Sequence, residues 1–453
     1  MFLYGGLSPW ESFYVVEDHG RPSDPLHPST QWHLFADSHA RVFGRNCGLT
    51  DPATWLHDYA IDDNGMQVAM GPATLPLRQR ADIMDRLRVV VLAHDLEPHE
   101  AAVPYALSGQ RLGNPRMAGM GAHVQRYFQE RDTTGRTTPY SYLLTNETVI
   151  ERELFTAATT VGLHPGAARP LALTIRQGDS FGERLARGHL SDTERTDVDA
   201  LLARYATKLE QRYQTLDGEP LRARALADHS FALDALAGAP ALAEVLGSEL
   251  LAGEGHSACG ETDALDHTRV GIRAAAELLR HPTHPARYVN VVDAGMRLAD
   301  SSGGYDTHFE HPQTQAVNTT SLLQNLVDHI NEPGENDPTK IDLDETMIVL
   351  TTEFGRTPTL QVAQGTNHFP YGYVAVLIGG PIGPDEAGLV GSLGPSGAAT
   401  HAISPRELRA ALLASMGMWP FAEESFAVGD LPEASTEDEG LLWCLEHVLG
   451  VTP

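Results

Sequence analysis

A chain of 453 residues, 42% of them hydrophobic, is long enough to bury a large core, and nothing in its composition forces disorder. Its 60 acidic residues against 32 basic ones give a formal net charge of −28, which excludes nucleic acid and an anionic membrane as bulk partners. Cys47, Cys259 and Cys444 are too few and too scattered for a disulfide framework or a cysteine-rich zinc site, and admit at most one bridge. No apolar run reaches membrane-spanning length, and the start lacks the basic, apolar and small-residue succession of a signal peptide. As written, the chain is expected to be cytoplasmic, and periplasmic or secreted if a leader has been trimmed.

In chain order, Met1 to Gly6 predicts a strand that runs at once into a glycine turn. Ser8 and Glu11 follow within reach of that strand's end, Ser8 as a cap and Glu11 as a solvated or site carboxylate. Residues 17–80, rich in His, Pro, Asp and Gly, predict a long excursion with short helices. Arg86 to Leu92 is a buried strand that delivers His94 and His99 at its carboxyl end. The helix that follows is expected to stop at Gly109, and its start is a place where backbone N–H groups favour an anion. Tyr140 to Leu144 predicts another strand. From about 185 to 285 the periodicity turns helical, with Leu201, Leu202, Tyr205, Leu209 and Tyr213 on one stripe, which predicts a helical insertion or cap.

Tyr288–Val292, Thr346–Thr351 and Tyr373–Ile378 are continuous apolar runs, as expected of strands covered on both faces. Strands alternating with helices give an α/β doubly wound class, here expected as a single domain over 1–453. Ser404 with Pro405 predicts a capped helix start, and the acidic tail a solvated surface with one last helix. Asp306, His308, Glu353 and His368 cluster at predicted strand ends, where open α/β sheets place their chemistry. Two carboxylates and two imidazoles form an oxygen/nitrogen set that suits zinc, manganese or iron. For each residue alone a surface or capping role is the simpler alternative.

Several segments together carry a resemblance: Phe2 to Ser8, Gly303 to His308, Thr352 to Pro358, Gly365 to His368, and Ile378 to Ile382. They resemble the successive motifs of the bacterial domain of unknown function 1501 family, which is usually placed in the alkaline phosphatase and sulfatase superfamily. The resemblance implies an alkaline-phosphatase-like fold, a doubly wound, mostly parallel sheet with helices on both faces. It also implies a hydrolase in which a divalent metal (zinc or manganese, with calcium admissible) polarises a small anionic phosphate or sulfate ester. Carried over position by position, Asp306, His308, Glu353, His368 and Glu11 stand as metal ligands. Arg356 falls in the same cleft, as an anion-binding group or a structural ion-pair partner.

The departures are as informative. Where the superfamily has a second Asp-His pair, this chain has Glu353 and Phe354. Where sulfatases carry a nucleophilic cysteine or serine, counting back from Gly109 lands on His99, which would then be nucleophile, ligand or proton donor. The alternative function is a non-catalytic binding or structural protein that keeps the fold, and a homo-oligomer is compatible with either.

Overall fold

The structure is a computed structural model. It describes residues 1–452 except 28–29, 35–41, 45–48, 115–117, 132–140, 147–154, 156–170, 176–190, 215–266, 283–284, 296–303 and 423–424. Among these residues, eight strands form the central layer: β1 (Phe2–Leu3), β2 (Leu87–Leu92), β3 (Ser141–Asn146), β4 (Leu171–Ile175), β5 (Tyr288–Asp293), β6 (Met347–Leu350), β7 (Tyr373–Gly379) and β8 (Gly388–Val390). Hydrogen bonding orders four of them β4-β3-β5-β1 and the other four β6-β7-β2-β8. A parallel bridge between Phe2 and Thr351, with Leu3 N donating to the Thr351 carbonyl at 2.8 Å, joins the halves into the order β4-β3-β5-β1-β6-β7-β2-β8.

β5 and β6 therefore flank β1, a two-residue strand that the sequence marks only by its glycine stop. Most pairs are parallel, as expected, but β7 runs antiparallel to both β2 and β6. That reversal is invisible in a run such as Tyr373–Gly379, because a strand buried on both faces is apolar in either direction.

Alternation sorts the strand residues between two cores. Val89 and Val91 of β2, with Val374, Val376 and Ile378 of β7, pack with Leu322, Leu323 and Leu326 of helix α5 (His311–Asp328). Val90, Leu92, Ala375 and Leu377 face Leu408, Leu412 and Leu413 of helix α6 (Pro405–Ser415). Each such side chain, fully buried, contributes about 1.5–3 kcal/mol, so the doubly covered strands are the firmest part of the fold. α6 opens with the predicted cap: Ser404 accepts from the Glu407 N–H while the Glu407 side chain returns to the Ser404 N–H.

Helix α1 (His99–Ser108) lays Val103, Ala106 and Leu107 on Phe2, Tyr4 and Val292, and ends at Gly109 with φ +71°. α2 (Met120–Arg131) lies on the same face as α6 through Met120 and Val124. The predicted helical insertion lies largely outside the described residues. Within it, α3 (Asp192–Gln214) is helical with Leu201 and Tyr205 exposed, whereas α4 (His267–Leu279) packs Val270, Ala274 and Leu278 on β3 and β5. α4 is thus part of the sheet's own covering layer. In the 17–80 excursion the structure also holds an antiparallel hairpin, His57–Ile61 with Gln67–Met70, which the polar sequence hid.

Candidate metal centre

The parallel strands end at one edge, and each ending delivers a polar group to the same place. β1 runs into Gly5 and Gly6, β2 into His94 and His99, β5 leads to Asp306, and β6 leads to Glu353 and Arg356. β7, running the other way, begins at this edge and is preceded by His368. A short antiparallel pairing sets His368 opposite Arg356. Gly5 and Gly6 are required: both take positive φ, and a Cβ on Gly5 would collide with the Asp306 backbone. A Cβ on Gly365 would likewise meet the His308 carbonyl.

Asp306 is the hub. Its Oδ1 lies 2.9 Å from Arg356 Nη1, 3.1 Å from His308 Nε2 and 3.2 Å from His368 Nε2, and its Oδ2 lies 3.5 Å from His99 Nε2. Burial pushes the Asp306 carboxyl up. The hydrogen bonds from His308, His368 and His99, with the Arg356 charge, outweigh burial and hold it well below the usual carboxylate range.

The imidazoles are anchored from behind. His99 Nδ1 lies 2.9 Å from Glu353 Oε1, and His368 Nδ1 lies 2.9 Å from the Glu97 carbonyl oxygen, so each donates through Nδ1 and aims Nε2 at Asp306. For neutral rings that arrangement sets two nitrogen lone pairs against a carboxylate, and a proton or a cation between them relieves it. Burial pulls the His99 imidazole down, but Asp306 and Glu353 outweigh it and bring it up to about 10. His99, Asp306 and His368 each offer a ligand atom, all within 4.8 Å of one another, and form a group that could hold a metal ion. Phe354, at the position where the resemblance expects a second histidine, stacks on His368 with ring centroids 4.2 Å apart.

The other expected site residues have different surroundings. Glu353 is fully buried: its Oε1 also accepts from the Gly5 N–H at 2.8 Å and its Oε2 from Thr352 Oγ1 at 3.0 Å, which makes it the partner that orients His99. Arg356 is fully buried too, donating to Asp306, to the Gly5 carbonyl, and to the hydroxyl and carbonyl of Thr366. Burial pulls its guanidinium down to about 10, with Asp306 offsetting part of that. His308 stands at the rim, its side chain 34% exposed.

Glu11 sits in a neighbouring network, its Oε1 3.0 Å from His311 Nε2 and its Oε2 accepting from Ser8 Oγ at 2.6 Å. His94 uses both nitrogens: Nδ1 accepts from the Leu96 N–H at 3.0 Å and Nε2 donates to the Glu353 carbonyl at 2.6 Å. Burial lowers its pKa.

Sequence reasoning missed His311, Thr307, Thr366 and Gln315. His311 Nδ1 meets Thr307 Oγ1 at 2.6 Å and Thr366 Oγ1 at 2.9 Å, and Thr366 Oγ1 in turn accepts from Arg356 Nε at 3.0 Å. Gln315 donates to the Gly6 and Tyr305 carbonyls, tying α5 to both glycine-bearing and aspartate-bearing loops. One turn separates His311 from Gln315, and that spacing was the available signal.

Among the described residues no helix is long and apolar enough to cross a membrane. Neither the curated proteins nor the solved structures hold a match to this chain. The family model described as "Protein of unknown function (DUF1501)" matches residues 2–440, a span that contains every residue of the site just described. The chain belongs to the DUF1501 family.

Proposed function

We propose that the protein is a metal-dependent hydrolase of small anionic esters, phosphate or sulfate, with its cation held by His99, Asp306 and His368. The observation that carries this is the pair of imidazoles fixed through Nδ1, with both Nε2 atoms aimed at one carboxylate. A carboxylate or carbonyl holding each histidine from behind is the usual support of a metal-binding imidazole. Three protein ligands leave a position open, the pattern of catalytic zinc sites. A set of two histidines and one aspartate suits zinc, manganese or iron; calcium, with its six to eight oxygen ligands, suits it least. When bound, such a cation polarises an ester oxygen and makes a water more acidic. The ester class and the alkaline-phosphatase-like fold rest on the motif resemblance.

The chain's own residues have distinct parts in this scheme. Glu353 keeps the proton on His99 Nδ1, and Arg356 fixes the Asp306 carboxylate. Because four of its five N–H donors go to protein acceptors and it is fully buried, Arg356 positions a ligand and does not grip substrate. His308, at the rim beside Asp306, is the group placed to give a proton to the leaving oxygen.

One observation favours a second reading, a binding protein without catalysis: the hydroxyls of Thr307 and Thr366 beside the site both engage His311, so neither is a ready nucleophile. One experiment separates the two. Metal analysis of the purified protein is followed by assays on p-nitrophenyl phosphate, its bis-ester and p-nitrophenyl sulfate, with Asp306→Asn and His308→Gln as controls. The hydrolase reading expects about one cation per chain and turnover that His308→Gln lowers with metal content intact. Metal-loaded protein inert on every ester would leave only the binding reading, and metal-free protein would sink the metal centre.

A further inference from the structure

A cavity lies at the opposite edge of the sheet from the Asp306 cluster, where β5 begins at Tyr288 and β6 at Met347. Its volume is about 700 Å³, inside the ~300–1,000 Å³ range of small-molecule sites. Leu107 and Met120 line it on the α1/α2 side, Ile272 and Leu326 on the α4/α5 side, so it passes under the edge from one face of the sheet to the other. Arg287 and Glu345, both exposed, stand at its opening.

Two polar groups in this lining are out of balance. Arg409 of α6 is 4% exposed; its Nε donates to the Ala106 carbonyl at 2.7 Å, but its Nη2 has no hydrogen-bond partner among the described residues. No carboxylate among the described residues pairs with it. Asn290 of β5 is also 4% exposed, and its Nδ2 is likewise without a partner among the described residues. Tyr288, two residues before Asn290 and therefore on the same face of the strand, lies within electrostatic reach of the Arg409 guanidinium. Buried charges are ordinarily paired, and buried amides ordinarily bonded. Here one unopposed cation and one amide donor border a cavity that is otherwise largely apolar.

We propose that this cavity binds an aliphatic carboxylate, with the carboxylate on Arg409 and Asn290 and the chain running under the sheet edge. A carboxylate has two oxygens for the two unpartnered donors. A phosphate group would bring more acceptors and more charge than the lining answers. The apolar walls select against a small hydrophilic acid. The site is separate from the Asp306 cluster, which lies past the other ends of the same strands, so it stands or falls independently of the hydrolase reading.

The test is calorimetric titration of the full chain with decanoate, 1-decanol and inorganic phosphate. Decanoate is expected to bind once per chain, decanol at least tenfold more weakly, and phosphate not at all. Arg409→Met should weaken decanoate at least tenfold and leave decanol unchanged. A merely structural arginine would not produce that split. If Arg409→Met does not fold, Asn290→Leu and the wild-type contrast between decanoate and decanol still decide the matter. Decanoate binding no tighter than decanol, absence of decanoate binding, or equal decanoate affinity in a folded Arg409→Met overturns the proposal.

Discussion

Two glutamate–histidine pairs lie side by side in this fold and differ in one respect. In the first, His99 meets Glu353 at 2.9 Å; in the second, His311 meets Glu11 at 3.0 Å. Both glutamates are buried and the contact distances nearly match, although His99 meets its glutamate through Nδ1 and His311 through Nε2. What separates the pairs is the second nitrogen of each ring. His311 Nδ1 is met by two threonine hydroxyls, so that pair is a closed structural unit. His99 Nε2 faces Asp306 alongside His368 Nε2, so that pair opens onto a site. A buried Glu–His contact is therefore no sign of function in itself; the sign is an imidazole whose far nitrogen converges with a second imidazole on one carboxylate.

The largest effect expected from that contrast is at the hub. Asp306→Asn should abolish metal uptake, measured as metal per chain. Because Asp306 is also the carboxylate of the fully buried Arg356, the change should cost stability as well, about 3–5 kcal/mol in denaturant unfolding. Removing this ligand therefore does not leave the fold untouched. Arg356→Met added to Asp306→Asn should recover much of the stability and none of the metal. Full metal occupancy in Asp306→Asn would break the comparison outright.

His311→Ala is the complementary case. It strands the Glu11 carboxylate in a fully buried position and should destabilise by about 3 kcal/mol while leaving metal stoichiometry unchanged. Loss of metal in this variant at full folding would mean that the second pair is not closed.

A pH titration of metal-free protein sharpens the first pair further. The folded-state pKa of His99 is raised to about 10 from an ordinary 6.5, so its contribution to stability is complete below 6.5 and is lost as pH rises through about 10. For Asp306 the shift is downward, so its contribution is present above the ordinary carboxylate range and is lost in acid. The Tm of metal-free wild type should accordingly fall between pH 6.5 and 10 more steeply than that of His99→Gln. Parallel curves would show that His99 carries no such charge.

Much of the frame of this arrangement was legible in the sequence. The apolar runs of β2, β5, β6 and β7 marked strands, and Asp306, His308 and His368 stood where strand ends place chemistry. His99 was visible as the residue that closes the turn after β2. The direction of β7 was not legible, because burial on both faces erases any asymmetry in the run. Nor was the role of Glu353, and for Arg356 the sequence left the anion-binding and ion-pair alternatives unseparated: residue type says that a carboxylate or guanidinium is present, whereas the contacts that consume it come from Gly5, Thr352 and Thr366, distant in sequence or silent in composition. His311 and Arg409 escaped notice for the same reason, being single polar residues on helix faces that read as amphipathic.

The smallest effect expected is also the most diagnostic, because it acts through a residue that need not touch the metal. In Glu353→Gln the amide oxygen can still accept from the Gly5 N–H and from His99 Nδ1, in place of Oε1. The amide nitrogen, in place of Oε2, can donate to Thr352 Oγ1, whose hydroxyl hydrogen then turns from Glu353 to the Leu3 carbonyl 2.8 Å away. Each existing hydrogen bond thus keeps a partner, and stability should fall less than in Asp306→Asn, by the cost of the amide's second, buried N–H. What is lost is the negative charge behind His99, which makes its far nitrogen a better ligand. Metal affinity should fall about 10–100-fold, the usual loss for such outer partners. If Glu353 were itself a direct ligand, the same substitution would replace an anionic oxygen on the cation with a neutral amide and take metal content toward that of Asp306→Asn. Competition titrations of metal affinity on the two variants therefore separate a glutamate that binds the metal from one that only holds the histidine in place.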